Sequence, residues 1–365
     1  MKVKQMNPFQ PTFGKNPPML IGRDEIINNF IESLDENVGD ERRATLFTGQ
    51  RGMGKTVVLN ALAKRAREKG WITAEVTTSP TMLEDILDNI SDQVESRSKT
   101  TLQGINLSLF GFGGGVTTAK ETRKTGWRMQ VTRLLKELDN KGVGVLFTID
   151  EIVSSSSELR QFAIAYQHFV REDRVVAVAM AGLPYQVSNL LQDKVLTFLR
   201  RSSRVELVMI DIDDVYEGML ATISEYGRTI EATVLKQAAE STKGYPYLIQ
   251  LVGSKIWSMH PDNREISASD VEVGISLAYG QLKKNVFEPV LEVLSDKDIA
   301  FLRAMSKDDG ASKTSDIAKR LKITAGYLST YRARLLDADV IFSPKRGYLD
   351  FNIPFLREHL RGYPI

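Results

Sequence analysis

The 365-residue sequence contains no cysteine and only three histidines. The missing cysteine excludes disulfides, thiolate metal sites and cysteine nucleophiles. His168, His260 and His359 lie too far apart in the chain for a zinc-binding pattern. The sequence also lacks an apolar run of the roughly 18 residues that span a bilayer, and its first residues have no apolar signal core. We therefore expect a cytoplasmic protein with no membrane partner.

A strong charge of one sign is missing as well. The net charge is +2, so any affinity for nucleic acid must come from a local patch rather than from the whole molecule. Apolar residues make up 42% and charged residues 26%, as is usual for a globular protein. The length is sufficient for two or three domains.

One stretch, 44–70, combines a β-rich run, a glycine loop and a helical pattern. The loop satisfies the phosphate-binding pattern G-x-x-x-x-G-K-[ST], and with the next residue, Val57, it gives the candidate nucleotide-binding residues: Gly49, Gln50, Arg51, Gly52, Met53, Gly54, Lys55, Thr56 and Val57. Glycines let successive backbone N–H groups surround a phosphate. Lys55 adds a positive charge toward the β- and γ-phosphates, and the Thr56 hydroxyl is placed to bind Mg²⁺.

A second chemical element is the apolar strand VGVLFTIDE at 143–151. A phosphate-loop ATPase needs such a strand, because Asp150 can then hold Mg²⁺, directly or through water. Glu151 can orient and deprotonate the attacking water. An apolar strand ending in two acids is weak evidence alone, but it is strong evidence when it occurs together with the glycine loop.

Strands alternate with helical patterns through the first 212 residues. The predicted strands are 44–48, 71–77, 143–151, 175–181 and 205–210. Ser155 with Glu158 is typical of a capping box before the helix at about 159–166. This alternation predicts an α/β fold with a parallel, doubly wound sheet.

The domain organisation follows from changes in pattern. Proline-rich residues 1–22 indicate an extended arm, and 23–212 form the nucleotide-binding core. A glycine-rich insert at 98–120 is predicted to be a hairpin or loop, either contacting a partner or DNA or serving as an ordinary connection. Residues 213–290 show only helical periodicity, and 291–365 show the helix, helix, turn, helix and hairpin order of a winged helix.

The last segment has the charge of a candidate DNA-binding module. Residues 295–365 contain 13 Lys plus Arg and 9 Asp plus Glu, a net charge of +4. Arg332 and Arg334 on its third helix are candidates for a groove, and Lys345 and Arg346 at the wing tip are candidates for phosphates. Winged helices also dock proteins, so this alternative stays open.

Taken together, GQRGMGKT, LFTIDE, the arginines before VELVMIDID, the helical segment and the terminal winged helix resemble the AAA+ ATPases of the origin-recognition-complex-like and archaeal-ATPase groups. The resemblance covers nearly the whole chain from about residue 17. It implies a P-loop NTPase core with a five-stranded sheet, an all-helical lid that closes over the nucleotide, and adenine held near Leu20 to Arg23. It also implies that Arg201 or Arg204 reaches the γ-phosphate of a neighbouring subunit in a nucleotide-dependent homo-oligomer, although a surface salt bridge explains either arginine equally.

Two departures from the family pattern concern turnover. A polar sensor residue usually ends the fourth strand, where this sequence has Ala181 and Gly182, and the lid helix often carries a sensing arginine, which GYPYLIQL lacks. The glycine-x-proline form is similar to that of the STAND signalling ATPases with numerous domains. We therefore expect ATP hydrolysis that is slow or dependent on a partner.

The main hypothesis is an ATP-binding, Mg²⁺-dependent AAA+ ATPase, binding ATP and ADP, that couples its nucleotide state to double-stranded DNA through the winged helix. The alternative is a STAND-like signalling switch whose winged helix docks a protein partner. A helper ATPase for the transposition of mobile elements, which shares the same core, is a third and weaker hypothesis.

Overall fold

The computed structural model describes residues 6–12, 18–97, 102 and 126–362. The insert predicted at 98–120 lies outside the described residues, apart from Leu102. The described chain divides into two compact units. The core unit comprises Arg23–Gly49 and Lys55–Leu207. The helical unit comprises Gln50–Gly54 together with the described parts of Met1–Gly22 and Val208–Ile365.

A parallel five-stranded sheet is the centre of the core unit. Its strands are β1 (Ala44–Thr48), β2 (Ile72–Thr77), β3 (Val145–Asp150), β4 (Val176–Gly182) and β5 (Ser203–Glu206). They are arranged in the order β2-β3-β4-β1-β5, and each neighbouring pair is parallel. Because all strands run in one direction, the residues that follow β1 and β3 emerge at the same edge of the sheet.

Helices cover both faces of this sheet. They are α1 (Asp24–Ser33), α2 (Lys55–Glu68), α3 (Met82–Arg97), α4 (Trp127–Asp139), α5 (Ser157–Arg171) and α6 (Pro184–Gln192). Phe147 of β3 belongs to the buried cluster with α3, α4 and α5, and its ring lies 5.2 Å from that of Phe162. Phe47 of β1 instead contacts Phe30 of α1, at 6.5 Å between ring centroids. The alternation of strand side chains between the two faces thus sets the layers.

The predicted strands other than 205–210 differ from the observed ones by at most two residues at their ends, and two further differences have a specific cause. The strand predicted at 205–210 is Ser203–Glu206, because its partner β1 ends at Thr48, which pairs with Glu206. The helix cap is also displaced by one residue. Ser156, not Ser155, accepts a hydrogen bond from the backbone N–H of Leu159 at 3.1 Å, and sequence alone could not choose between adjacent serines.

The helical unit contains α7 (Ile212–Glu225), α8 (Ala232–Ser241), α9 (Pro246–Met259) and α10 (Ala268–Leu282), with short strands β6 (Thr229–Ile230) and β7 (Glu265–Ile266). The described part of the arm packs on these helices. Asn7 donates to the carbonyl of Ser254 at 3.0 Å, and Phe9 is 3% exposed. The arm residues after Pro18 also contribute, since Ile21 lies against Gly218 of α7.

The rest of this unit begins with a π-helical turn, Lys283–Phe287. Next come α11 (Glu288–Glu292), α12 (Asp296–Met305), β8 (Ser312–Lys313), α13 (Thr314–Leu321), α14 (Ala325–Asp337), β9 (Ile341–Phe342), β10 (Tyr348–Phe351) and α15 (Leu356–Arg361). The three strands form a small antiparallel sheet in the order β8-β10-β9. Lys345 and Arg346 lie in the turn between β9 and β10, where Gly347 has a φ of +83°. Across the part of the chain that the structure describes, no helix is both long and apolar enough to cross a bilayer.

The contact between the arm and α9 gives a matched pair of glycine tests. A Cβ on Gly253 would lie 2.2 Å from the Phe9 ring, whereas a Cβ on Gly280 of α10 would meet no atom within 4 Å. We expect Gly253→Ala to displace Phe9 and to accelerate chymotryptic cleavage after Phe9 about tenfold, because burial of such a ring contributes about 1.5–3 kcal/mol. Gly280→Ala is the control and should leave the cleavage rate unchanged. Equal rates for both variants would contradict the packing of the arm.

Candidate functional site

The glycine loop connects the end of β1 to the start of α2. Since α2 begins at Lys55, the backbone N–H groups of its first turn have no partner within the helix and point toward the loop. The positive end of the helix dipole lies at the same place, so this junction favours an anion. The Lys55 ammonium donates to the carbonyl of Gly49 at 2.8 Å, which holds the two ends of the loop together.

Two glycines give the loop its shape. Gly52 and Gly54 have φ values of +76° and +83°, in the region that residues with a side chain rarely adopt. Gly54 borders open space, since a Cβ there would meet no atom within 4 Å. Met53, between them, is buried. The loop therefore presents backbone, not side chains, on its Gly54 side.

The other loop residues contact the helical unit, to which they belong. Gln50 donates to the carbonyl of Phe351 at 3.1 Å, and Arg51 forms an ion pair with Asp339 at 3.3 Å. Tyr245, at the N-cap of α9, donates its hydroxyl to the carbonyl of Arg51 at 3.2 Å. Burial raises the pKa of this hydroxyl above its ordinary value, so it stays protonated and able to donate even in alkaline solution.

The Thr56 hydroxyl and the Asp150 carboxylate meet in the core unit. Thr56 Oγ1 donates to Asp150 Oδ2 at 2.5 Å, and the other carboxylate oxygen accepts the backbone N–H of Glu151 at 2.8 Å. Asp150 is the last residue of β3, and Thr56 is in the first turn of α2, with Val57 half-buried beside it. The sheet order thus brings together two side chains that are 94 residues apart in the chain.

These two oxygens fit a magnesium ion. Mg²⁺ is bound in proteins by one or two oxygen side chains, and substrate phosphates and water complete its octahedral shell. No group of three or more His, Cys, Asp or Glu among the described residues could hold a metal on its own. A hydroxyl and one carboxylate beside the phosphate loop are the donor set expected for an ion that arrives with a nucleotide.

Glu151 has an unusual backbone. Its φ is +52°, a left-handed conformation that is uncommon for a residue with a side chain and is found disproportionately at functional sites. The side chain is exposed, and it has no hydrogen-bond or ion-pair partner among the residues that the structure describes. The carboxylate is therefore accessible to a water molecule.

Sequence reasoning missed Thr78, which follows β2 at the same edge of the sheet. Its N–H donates to the carbonyl of Asp150 at 3.1 Å, and its hydroxyl is buried without a partner in the described chain. The polar run Thr77, Thr78 and Ser79 at the end of a buried strand was the available signal. Since a buried hydroxyl without a partner is rare, Thr78 is a further candidate residue at this edge of the sheet.

The end of β4 is tightly packed. Ala181 is fully buried, and a Cβ on Gly182 would lie 2.8 Å from the Cβ of Ile152. The packing therefore leaves no space for a side chain at position 182.

The candidate arginines near β5 differ in their contacts. Arg204 donates to the carbonyl of Arg200 at 3.2 Å, and Arg200 to that of Leu191 at 2.9 Å. Arg201 is exposed at the end of a 3₁₀ turn, Thr197–Arg201, and has no acidic partner within the described ranges. Both side chains are exposed, and of the two only Arg204 has a hydrogen-bond partner among the described residues.

The four residues predicted to contact nucleic acid divide into two groups. Arg334 binds both carboxylate oxygens of Asp298 at 2.6 Å. Burial by itself raises the pKa of Asp298, but hydrogen bonds from Arg334 and Ser295 outweigh burial and hold that pKa below its ordinary value. Arg334 thus has a structural partner, whereas Lys345 and Arg346 are exposed and Arg332 is half-exposed.

The comparisons with known proteins agree with this architecture. Residues 284–360 match the model of a domain of unknown function, DUF8462. No curated protein sequence matches the chain. Among solved structures, the Walker-type ATPase PABY2304 of Pyrococcus abyssi is similar with a TM-score of 0.63 and 19% identity, over 94% of this chain and 96% of that one.

Two further solved structures are similar over nearly their whole length. ORC2 of Aeropyrum pernix in its ADP form has a TM-score of 0.59 and 14% identity, over 96% of each chain. Cdc6p of Pyrobaculum aerophilum has a TM-score of 0.50 and 14% identity, also over 96% of each chain. At these identities the likeness concerns the fold. The chain has the α/β fold of the AAA+ P-loop ATPases, a parallel five-stranded sheet with helices around it.

Proposed function

We propose that this chain is an ATP-binding, Mg²⁺-dependent AAA+ ATPase that couples its nucleotide state to the binding of double-stranded DNA through a C-terminal winged helix. The observation that supports it most is the 2.5 Å hydrogen bond between Thr56 and Asp150, beside the start of α2. The ADP-bound and ADPNP–ADP complexes of the similar ORC2 structure support the choice of nucleotide.

Each residue of the proposed site has a separate task. Backbone N–H groups from Gly52 to Thr56 bind the phosphates, and the Lys55 charge is attracted to the β- and γ-phosphates. Thr56 and Asp150 hold Mg²⁺, which neutralises charge that develops on the phosphate oxygens. Glu151 accepts a proton from the water that attacks the γ-phosphate. Adenine lies near Leu20 to Arg23, at the end of the arm.

Turnover is slow when the chain acts alone. Ala181 and Gly182 offer no polar group to the γ-phosphate, and the space beside Gly182 is filled by Ile152. In a nucleotide-dependent homo-oligomer, an arginine from a neighbouring copy supplies positive charge to the γ-phosphate. Arg201 is the first candidate and Arg204 the second, because Arg204 already donates to the carbonyl of Arg200.

Lys55→Ala tests the phosphate site. We expect ATP affinity to fall at least tenfold, because a charge-assisted contact to phosphate is lost. Binding is measured by titration with a fluorescent ATP analogue. Lys64→Ala, an exposed lysine on the same helix, is the matched control and should bind like the wild type. Unchanged affinity in Lys55→Ala would rule out the proposed site.

Glu151→Gln separates binding from hydrolysis. The amide cannot accept the proton of the attacking water, so we expect ATP affinity to stay within about twofold while turnover falls about 10²–10⁴-fold. Phosphate release is the measurement, and Glu84→Gln, an exposed residue of α3, is the control. Persistent turnover would show that another group activates the water.

The proposed DNA binding depends on Lys345 and Arg346, the exposed cations in the turn after β9. We expect affinity for random duplex DNA to fall with salt with a log–log slope of about −0.9 per neutralised phosphate. The double variant Lys345→Ala with Arg346→Ala should make the slope shallower by about 2. Lys236→Ala on α8, exposed and distant in sequence, should not change it.

A protein-docking switch remains the second candidate function. It is favoured by the pairing of Arg334 with Asp298, which removes one cation from the candidate DNA surface. Complete lack of duplex binding at low salt would support the docking switch and exclude the DNA-binding form of the proposal.

A further inference from the structure

The phosphate loop carries contacts that phosphate binding does not require. Gln50 donates to the carbonyl of Phe351 on β10 at 3.1 Å, and Arg51 pairs with the Asp339 carboxylate at 3.3 Å. Both partners lie in the segment after α14, about 300 residues away in sequence, and belong to the same compact unit as the loop. The C-terminal segment therefore touches the loop directly.

Asp339 is held in place by its backbone. It is the second residue after α14, with a left-handed φ of +55°. Its N–H donates to the carbonyl of Leu336 at 3.1 Å, and its own carbonyl accepts the Asn352 amide at 3.1 Å. The side chain is 23% exposed. A fixed backbone on both sides means that the carboxylate is presented to Arg51, not brought there by a flexible loop.

This carboxylate is an anion beside a loop whose backbone favours anions. Arg51 is adjacent to Gly52, and a trans peptide separates consecutive Cα atoms by about 3.8 Å. A phosphate bound to the N–H groups after Gly52 is therefore within about 8 Å of the Arg51 backbone, the screening length at physiological salt. The flexible Arg51 side chain starts from this backbone, so the phosphate and Asp339 compete for the attraction of one guanidinium.

We propose that Asp339 is an internal competitor of nucleotide phosphate, and that its contact with Arg51 is an autoinhibitory latch which a nucleoside triphosphate weakens on binding. The inference rests on the proposed nucleotide site and adds the group that regulates it. Two contacts set the position of the latch. Tyr245 donates to the backbone carbonyl of Arg51, and the side chain of the neighbouring Gln50 donates to the carbonyl of Phe351.

The latch couples the nucleotide site to the candidate DNA surface. Coupling between two binding events is reciprocal, so a phosphate that loosens Asp339 is itself bound more weakly while Asp339 is in place. Asp339 follows α14, the helix that carries Arg332 and Arg334. The state of the loop is thereby transmitted to α14 through one ion pair.

Asp339→Asn removes the charge and keeps the size of the side chain. Asparagine is also well tolerated at a left-handed φ. Because the Arg51 side chain is 58% exposed, the pair is weak, and we expect ATP to bind about two- to fivefold more tightly to this variant of the full chain. The gain should shrink at high salt. Affinity is measured with a fluorescent ATP analogue.

Asp337→Asn is the matched control. Asp337 is exposed at the end of α14 and makes no ion pair among the described residues, so its ATP affinity should equal that of the wild type. Asp339→Gly, favoured at positive φ, should repeat the effect of Asp339→Asn. Wild-type protein that binds ATP no more weakly than Asp339→Asn overturns the latch alone. Wild-type protein that binds no ATP overturns the proposed function, and the latch with it.

Discussion

The hydrogen bond from the Thr56 hydroxyl to the Asp150 carboxylate is the contact on which the rest of the site depends. It joins the first turn of one helix to the last residue of a strand, and it exists because every strand of the sheet runs the same way. A one-residue shift of β3 would turn Asp150 to the opposite face. Hence Val145, Phe147 and Ile149, which lock the register of β3 in the core, also position the carboxylate proposed to bind the metal.

The glycine loop, the acid pair and the strand–helix alternation could be recognised in the sequence because each is a local pattern. The segments near Lys55 and Asp150 each contain the residue types of a known motif, and the parallel topology follows from the alternation of strands and helices alone. Boundaries were less certain where the deciding partner is distant. β5 stops at Glu206 because β1 stops at Thr48, and no feature of 205–210 itself reveals this.

Contacts between distant segments that belong to no known motif could not be predicted. Arg51 occupies a variable position of the phosphate-binding pattern, and Asp339 follows an ordinary helix, so nothing in the sequence indicates that the two residues pair. Arg334 is a second example. Its type and position suggested a role at a DNA groove, but the structure places it against Asp298, a partner 36 residues earlier. Residue type shows what a side chain can bind, and only the packing shows what it already holds.

The tight fit of Gly182 against Ile152 also limits how this site could be altered. The Cβ of any other residue would come within 2.8 Å of the Ile152 Cβ and 3.4 Å of a Val187 methyl group. A side chain therefore could not be introduced at position 182 by a single substitution without displacing Ile152. Ile152 would first have to become smaller, at a cost to the buried core, so two changes would be needed together.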